Sequence, residues 1–128
     1  MVKPVNITLE IGATPDKYEL ATAHFFAKRG QAVLFLCPAK IKGERTPDIT
    51  MNGVKWEIKN PHGAGKFTIE HAIQDASKQS EFIIVDLRNC KMPEAKALVK
   101  IKREFKYRTK IKRIIVIKKN DRSIDLAR

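Results

Sequence analysis

The sequence TPDITMNGVKWEIK occupies residues 46–59. Asn52-Gly53 is a strong two-residue turn signal, and it separates two runs of strand formers, 48–51 and 54–59. A β-hairpin follows. In its second arm Val54, Trp56 and Ile58 alternate with Lys55, Glu57 and Lys59. Side chains on a strand point to opposite faces in turn, so one face is apolar and packs on a core, while the other is charged. Glu57 and Lys59 share the charged face, and pairing across the turn brings Asp48 near both.

Outward from the hairpin, the chain reads as alternating helices and strands. Residues 5–11 suit a strand or an extended arm. Thr14-Pro15 opens a helix with Thr14 as N-cap, and Gly30 ends it. Tyr18, Ala21, Phe25 and Phe26 supply its inner stripe. Residues 32–37 form a buried strand bounded by Pro38. After the loop NPHGAGK (60–66), Thr68 starts a second helix, with Ile69, Ala72, Ile73 and Ala76 on one face. Residues 82–87 are a second buried strand. Pro93 opens a third helix reaching about Arg108, with Leu98, Ile101 and Phe105 inward. Residues 111–119 form another strand, and SIDLAR a short last one. The expected fold class is α/β, a mixed central sheet flanked by helices on both sides. Residues 1–13 are expected to be an N-terminal arm or strand, and 14–128 a single domain.

The chain has 128 residues with a net charge of +12 and 43% hydrophobic residues, enough for one domain with a real core. Its longest uncharged apolar run, QAVLFLCPA, is too short to span a bilayer. The first residues, MVKPVNITLEIG, carry no apolar signal core. Cys37 and Cys90 form no metal motif and no disulfide scaffold, and are expected as reduced, buried thiols. Residues 89–128 hold fourteen basic and four acidic side chains, against twelve and ten in residues 1–88. Such a concentration attracts polyanions, nucleic acid first, an acidic protein second and an anionic membrane a distant third.

Two carboxylates and an ammonium on one patch suit phosphodiester chemistry. Asp48 and Glu57 are hard oxygen donors for Mg²⁺ or Mn²⁺, and all-oxygen ligation disfavours Zn²⁺. Lys59 would orient the attacking water, help deprotonate it or offset charge on phosphorus. Glu19, in the first helix, is a further candidate ligand, against the plainer reading of an acid near a helix N-terminus. Lys66 and Thr68 stand where free N–H groups make a phosphate seat, against the plainer reading of Thr68 as a simple cap, and the two readings are compatible. His62, in the same loop, is a candidate phosphate contact or proton carrier. Gln79 lies at the edge of the second helix's stripe and needs a partner, either the active site or the helix end. Asp86 is read as a loop anchor, and Trp56 as a core residue. Lys96, Lys100, Arg103, Lys106, Lys110 and Lys112 are candidate phosphate contacts in the basic C-terminal part.

Pro47-Asp48 with Glu57-x-Lys59 resembles the PD-(D/E)XK nuclease signature. The ordered set of PD, W-E-x-K, N-P-x-G, T-I-x-x-x-I-x-x-A-x-x-Q and I-I-x-D-L-R, over about residues 14–119, is similar to the C-terminal tRNA-nuclease toxin domains of contact-dependent growth inhibition (CdiA) proteins. The resemblance implies that Asp48 and Glu57 bind metal, that Lys59 is the catalytic lysine and that Glu19 is the helix acid. It also implies tRNA as substrate and an acidic cognate immunity protein as partner, with no membrane partner. The chain would be a monomer, or a heterodimer with that immunity protein. It would act in the bacterial cytoplasm after delivery as part of a larger secreted toxin. Two other readings stay open. One is a DNA endonuclease on the same core, resolvase or restriction-like. The other is a non-catalytic basic nucleic-acid-binding module, for which the sequence offers few exposed aromatics.

Overall fold

Three apolar helices' worth of core and a run of β-branched residues produce ten elements in the computed structural model, which describes residues 6–39 and 46–128. They are β1 (Ile7–Leu9), α1 (Lys17–Ala27), β2 (Val33–Phe35), β3 (Ile49–Met51), β4 (Val54–Lys59), α2 (Thr68–Ser77), β5 (Phe82–Asp86), α3 (Glu94–Tyr107), β6 (Arg113–Ile117) and β7 (Ser123–Ala127). The seven strands form one sheet in chain order. β1–β2, β4–β5 and β5–β6 are parallel pairs, and β2–β3, β3–β4 and β6–β7 are antiparallel. This is the mixed α/β sheet flanked by helices that the sequence pattern implies. Residues 1–5 of the expected arm lie outside the described residues, and Ile7–Leu9 join the sheet as a strand.

Alternation along the strands divides the core in two. Ile83, Val85, Ile114 and Val116 point toward α2 and α3, where they meet Ile69, Ile73, Ala97 and Ile101. Trp56, Ile58, Ile84, Ile115 and Ile117 point the other way and meet Ala23, Phe25 and Phe26 of α1. Burial of a large apolar side chain contributes about 1.5–3 kcal/mol, so these two layers dominate the stability. No described helix is long and apolar enough to cross a membrane.

Several local expectations need correction. The N-cap of α1 is Asp16, not Thr14: its side chain accepts the N–H groups of Tyr18 and Glu19, and Glu19 accepts the N–H of Asp16 at 2.9 Å. This reciprocal capping box satisfies more orphan donors than a threonine two residues earlier could. The buried face of α1 is accordingly Thr22, Ala23, Phe25, Phe26 and Ala27; Tyr18 is half-buried and Ala21 exposed. Thr68 is the first helical residue of α2 and makes no side-chain cap. β2 is shorter than 32–37, and Cys37 beyond it is only half-buried, whereas Cys90 is buried.

The hairpin turn is as the sequence implies: Asn52 and Gly53 have φ of 56° and 72°. A Cβ on Gly53 would meet no atom within 4 Å, so the left-handed backbone alone selects glycine there. Gly53→Val should therefore lower unfolding free energy by about 1–2 kcal/mol, measured by urea denaturation. An unchanged midpoint would show that the turn does not hold that conformation.

Candidate active site

The ladder between β3 and β4 closes at Ile49 opposite Trp56. Asp48 ends it. Its backbone N–H donates to Trp56 O at 3.0 Å, and its carbonyl accepts from Leu36 N–H at 2.9 Å. Its carboxylate Oδ2 then accepts the N–H of Ile58 at 2.8 Å, in place of the next rung of the ladder. Asp48 is thus fixed by three bonds at the point where β4 runs on without its antiparallel neighbour. Extending the register by one residue sets Asp48 opposite Glu57, and opposite residues share a face. Because Trp56 and Ile58 are committed to the core under α1, Glu57 and Lys59 take the other side of the strand.

Glu57 is only 6% exposed, and its Oε1 has no hydrogen-bond partner among the described residues. Lys59 Nζ lies 3.8 Å from Glu57 Oε2, beyond hydrogen-bond length. The Glu57 carboxyl is pushed up to about 8, first by burial and then by the charge of Asp48, with Lys59 pulling it back only in part. Glu19 is pushed up to about 7, first by burial, with the Asp16 N–H opposing and Asp48 adding to the rise. The charge of Asp48 acts on both of these acids. Asp48 is therefore the common neighbour of Glu19 and Glu57. A cleft of about 150 Å³ opens beside Glu19 and Asp48, walled by Pro15, Phe35, Leu36 and Pro38.

The fit to a cation is specific in one respect. Among the described residues no three His, Cys, Asp or Glu side chains stand close enough to hold one ion together. The Glu19 carboxylate is engaged at the α1 cap. Asp48 and Glu57 remain as a two-carboxylate pair with an orphaned, buried oxygen. That suits a cation such as Mg²⁺, which keeps several waters and takes one or two carboxylates plus substrate phosphate.

A buried network braces this corner. Asp86, 1% exposed, accepts Thr22 Oγ1 at 2.6 Å and the Arg88 guanidinium at 2.9 and 3.0 Å. Thr22 Oγ1 also reaches Asn60 Oδ1 at 3.3 Å, and Asn60 directly follows Lys59. α1, β5 and the end of β4 are thereby tied together behind the acids. Asp86 anchors structure, as its sequence context implies. Thr22 escaped the sequence reading because it sits in no motif, and Asn60, although it opens the N-P-x-G loop, was given no role of its own. The Asp16-x-x-Glu19 capping box was a readable signal for the start of α1.

Other expected site residues are scattered. His62 packs its ring edge-on against Tyr18 with centroids 4.4 Å apart, beside Glu19. Lys66 and Thr68 follow at the start of α2, the end nearer Lys59. Gln79 is not brought to the acids. It lies past the other end of α2, where Ser80 Oγ donates to Lys55 O at 2.8 Å. Lys55 and Lys59 are about 13 Å apart along the strand. Gln79 Oε1 is buried there without a partner among the described residues. On α3, Lys96, Arg103 and Lys106 are exposed, as is Lys110 just beyond it. Lys100 instead bonds Glu70 at 2.8 Å and Lys66 O at 3.0 Å, clamping α3 to α2. Lys112 pairs with Glu81 at 3.2 Å on the surface.

The sequence pattern of the contact-dependent growth inhibition CdiA C-terminal domain matches residues 45–122, more than half of the chain. The chain belongs to this family. That span holds Asp48, Glu57, Lys59, the Asp86–Arg88 pair and all of α2 and α3. The fold of the domain is similar to the "CdiA-CT/CdiI toxin and immunity complex from Burkholderia pseudomallei" at a TM-score of 0.62 and 19% identity, covering 94% of this chain and 99% of that chain. No curated protein matches it.

The raised acids give a pH signature. Unfolded, Glu19 and Glu57 titrate near 4.5; folded, they keep their protons to about 7 and about 8. Folding takes up protons in between, so stability is full at low pH and is lost as pH rises through that range. In EDTA, Tm should fall from pH 5 to pH 8, and Glu57→Gln should flatten the fall and raise Tm at pH 8. A wild-type Tm that does not fall over this range would contradict the acid cluster.

Proposed function

We propose that the domain is a metal-dependent endoribonuclease toxin that hydrolyses a phosphodiester bond in tRNA inside a target cell. The observation that carries this reading is the buried Glu57 oxygen beside Asp48, without a partner among the described residues, with Lys59 next to it. A fold tolerates two mutually repelling carboxylates at one point when their charge is used. Membership of the growth-inhibition family supports a toxic activity.

In this reading Asp48 and Glu57 hold the cation, and Glu19 stands behind Asp48 as the further acid. When bound, a divalent ion would polarise the scissile phosphoryl group and acidify a water. The chain's own contribution is geometric and electrostatic. Asp48 is locked by Ile58 N–H, so its free oxygen keeps a fixed direction. Lys59, 28% exposed, can reach a phosphate oxygen while staying near Glu57, where it orients the water or offsets charge developing on phosphorus. His62, Lys66 and Thr68 border the same end and would contact flanking phosphates. The exposed cations of α3 would carry the RNA backbone, and Lys110 and Lys112 would extend that track. Gln79 stands too far away for a part in the chemistry and is left with contacts at the opposite end. The likeness in fold to a chain of a toxin and immunity complex supports a cognate immunity protein as partner, acidic to match the basic face.

Water attack without the ribose hydroxyl leaves a 5′-phosphate and a 3′-hydroxyl. Purified protein with Mg²⁺ and total tRNA should give such ends. Asp48→Ala, Glu57→Gln and Lys59→Ala should each slow cleavage about 10²-fold or more, and EDTA should abolish it. Cyclic 2′,3′-phosphate ends that form in EDTA, or full activity in Asp48→Ala, would refute the metal mechanism. Preferential cutting of single-stranded or duplex DNA in parallel reactions would refute the RNA assignment.

The cations should separate by role. Lys96→Ala, Arg103→Ala and Lys106→Ala should each reduce the slope of log affinity against log salt for tRNA by about 1. Lys100→Ala should instead lower Tm, because it removes the clamp on Glu70 and Lys66. Equal behaviour of all four in salt-dependent binding would show that burial of Lys100 does not matter.

A further inference from the structure

A second cationic site lies on the other side of the molecule, outside the C-terminal stretch where the sequence concentrates its charge. A cavity of about 390 Å³ sits between the outer face of α1 and the β6–β7 turn, and His24, Lys28, Arg29, Arg88 and Asp121 line it around Phe25. Two of its guanidiniums are built into the wall. Arg29 lies over the Phe25 ring at 3.6 Å and donates to Phe25 O at 2.7 Å and Asp121 O at 2.8 Å. Arg88 is held by Asp86 and by Ala21 O at 3.0 Å, and reaches Asp121 Oδ1 at only 3.4 Å. Asp121 adopts a left-handed backbone with φ of 62°, and it is its carbonyl that Arg29 engages. These bonds leave three N–H groups of Arg29 and one of Arg88 unused. His24 and Lys28, one turn apart on α1, are exposed and have no bond from their side chains among the described residues. The site thus combines oriented donors, two free cationic or protonatable heads, and one weakly held carboxylate that an incoming anion would displace.

We infer that this cavity binds a backbone phosphate of the RNA substrate at a point distant from the bond cut. The inference rests on the endoribonuclease reading of the acid cluster and adds a second anchoring point to it. Glu19 and Lys28 belong to the same helix, nine residues apart, and are separated by about 14 Å. An RNA strand with its scissile phosphate at Asp48 and Glu57 reaches the cavity within a few nucleotides by following α1. The Asp86–Arg88 pair serves both ends: Asp86 braces Thr22 and Asn60 behind the acids, and Arg88 forms the cavity floor. A rigid two-point hold fixes the register of a folded RNA, which a single basic stripe cannot do.

The test uses Lys28→Glu and His24→Ala, both at exposed positions, with Lys78→Glu at the exposed end of α2 as a control for net charge. Affinity for bulk tRNA is measured over a salt series in an Asp48→Ala background, and kcat/KM on tRNA in the wild-type background. Lys28→Glu should weaken binding about tenfold at 0.1 M salt and reduce the salt slope by about 1, with kcat/KM lowered to match and Tm unchanged. His24→Ala should weaken it less, and Lys78→Glu hardly at all. Unchanged tRNA binding in Lys28→Glu, or an equal loss in Lys78→Glu, would overturn the inference and leave the cavity to a protein carboxylate. If wild-type protein cleaves tRNA while Lys28→Glu binds it normally, the second anchor alone fails. If wild-type protein neither binds nor cleaves RNA, the functional reading fails and the inference with it.

Discussion

The carboxylate of Asp48 is pulled in two directions. Its Oδ2 accepts the Ile58 N–H that the β3–β4 ladder leaves open, which fixes it where the hairpin ends. In that position its charge presses on Glu57, buried and orphaned at Oε1, and on Glu19 across the cleft. Among the described residues Lys59 answers that charge, at 3.8 Å. A protonated pair or a bound cation resolves this repulsion, and both solutions cost the fold nothing in backbone geometry. The rest of the molecule serves to hold the point still. Trp56 and Ile58 lock β4 from one side, and the Asn60–Thr22–Asp86–Arg88 network ties α1 and β5 to its end.

Charge on the surface follows a related division. Residues 89–128 carry most of the excess, yet their cations do not act alike. Lys100 is consumed in holding two helices together, and Arg113 pairs with Asp125 on the neighbouring strand. What remains exposed and unpaired on α3, among the described residues, is Lys96, Lys102, Arg103 and Lys106. The first 88 residues look nearly neutral in sequence, but folding gathers His24, Lys28, Arg29 and Arg88 into one cavity. Net charge along a chain therefore locates only part of an electrostatic surface.

Much of the fold was legible because its signals are local. Asn52-Gly53 fixes a hairpin by turn geometry, and the alternation at 54–59 then fixes which side chains share a face. The same two facts place Asp48 opposite Glu57. The start of α1 was misread because Thr14-Pro15 mimics a cap, although Asp16 and Glu19 form the stronger reciprocal one. Three features were beyond a local reading. The partnerless state of Glu57, the remoteness of Gln79 and the bracing by Thr22 and Asn60 depend on residues brought together from distant parts of the chain. The family match agrees with the ordered motifs from Asp48 onward and lies outside the segment that contributes Glu19.

The most direct measurement is an anomalous-scattering experiment on crystals soaked in Mn²⁺ near pH 8, where Glu57 begins to give up its proton. The account predicts one ordered ion bonded to both Asp48 and the now-partnered Oε1 of Glu57, absent from crystals of Glu57→Gln. An ordered ion elsewhere, or no ion at this pair at saturating Mn²⁺, would contradict it.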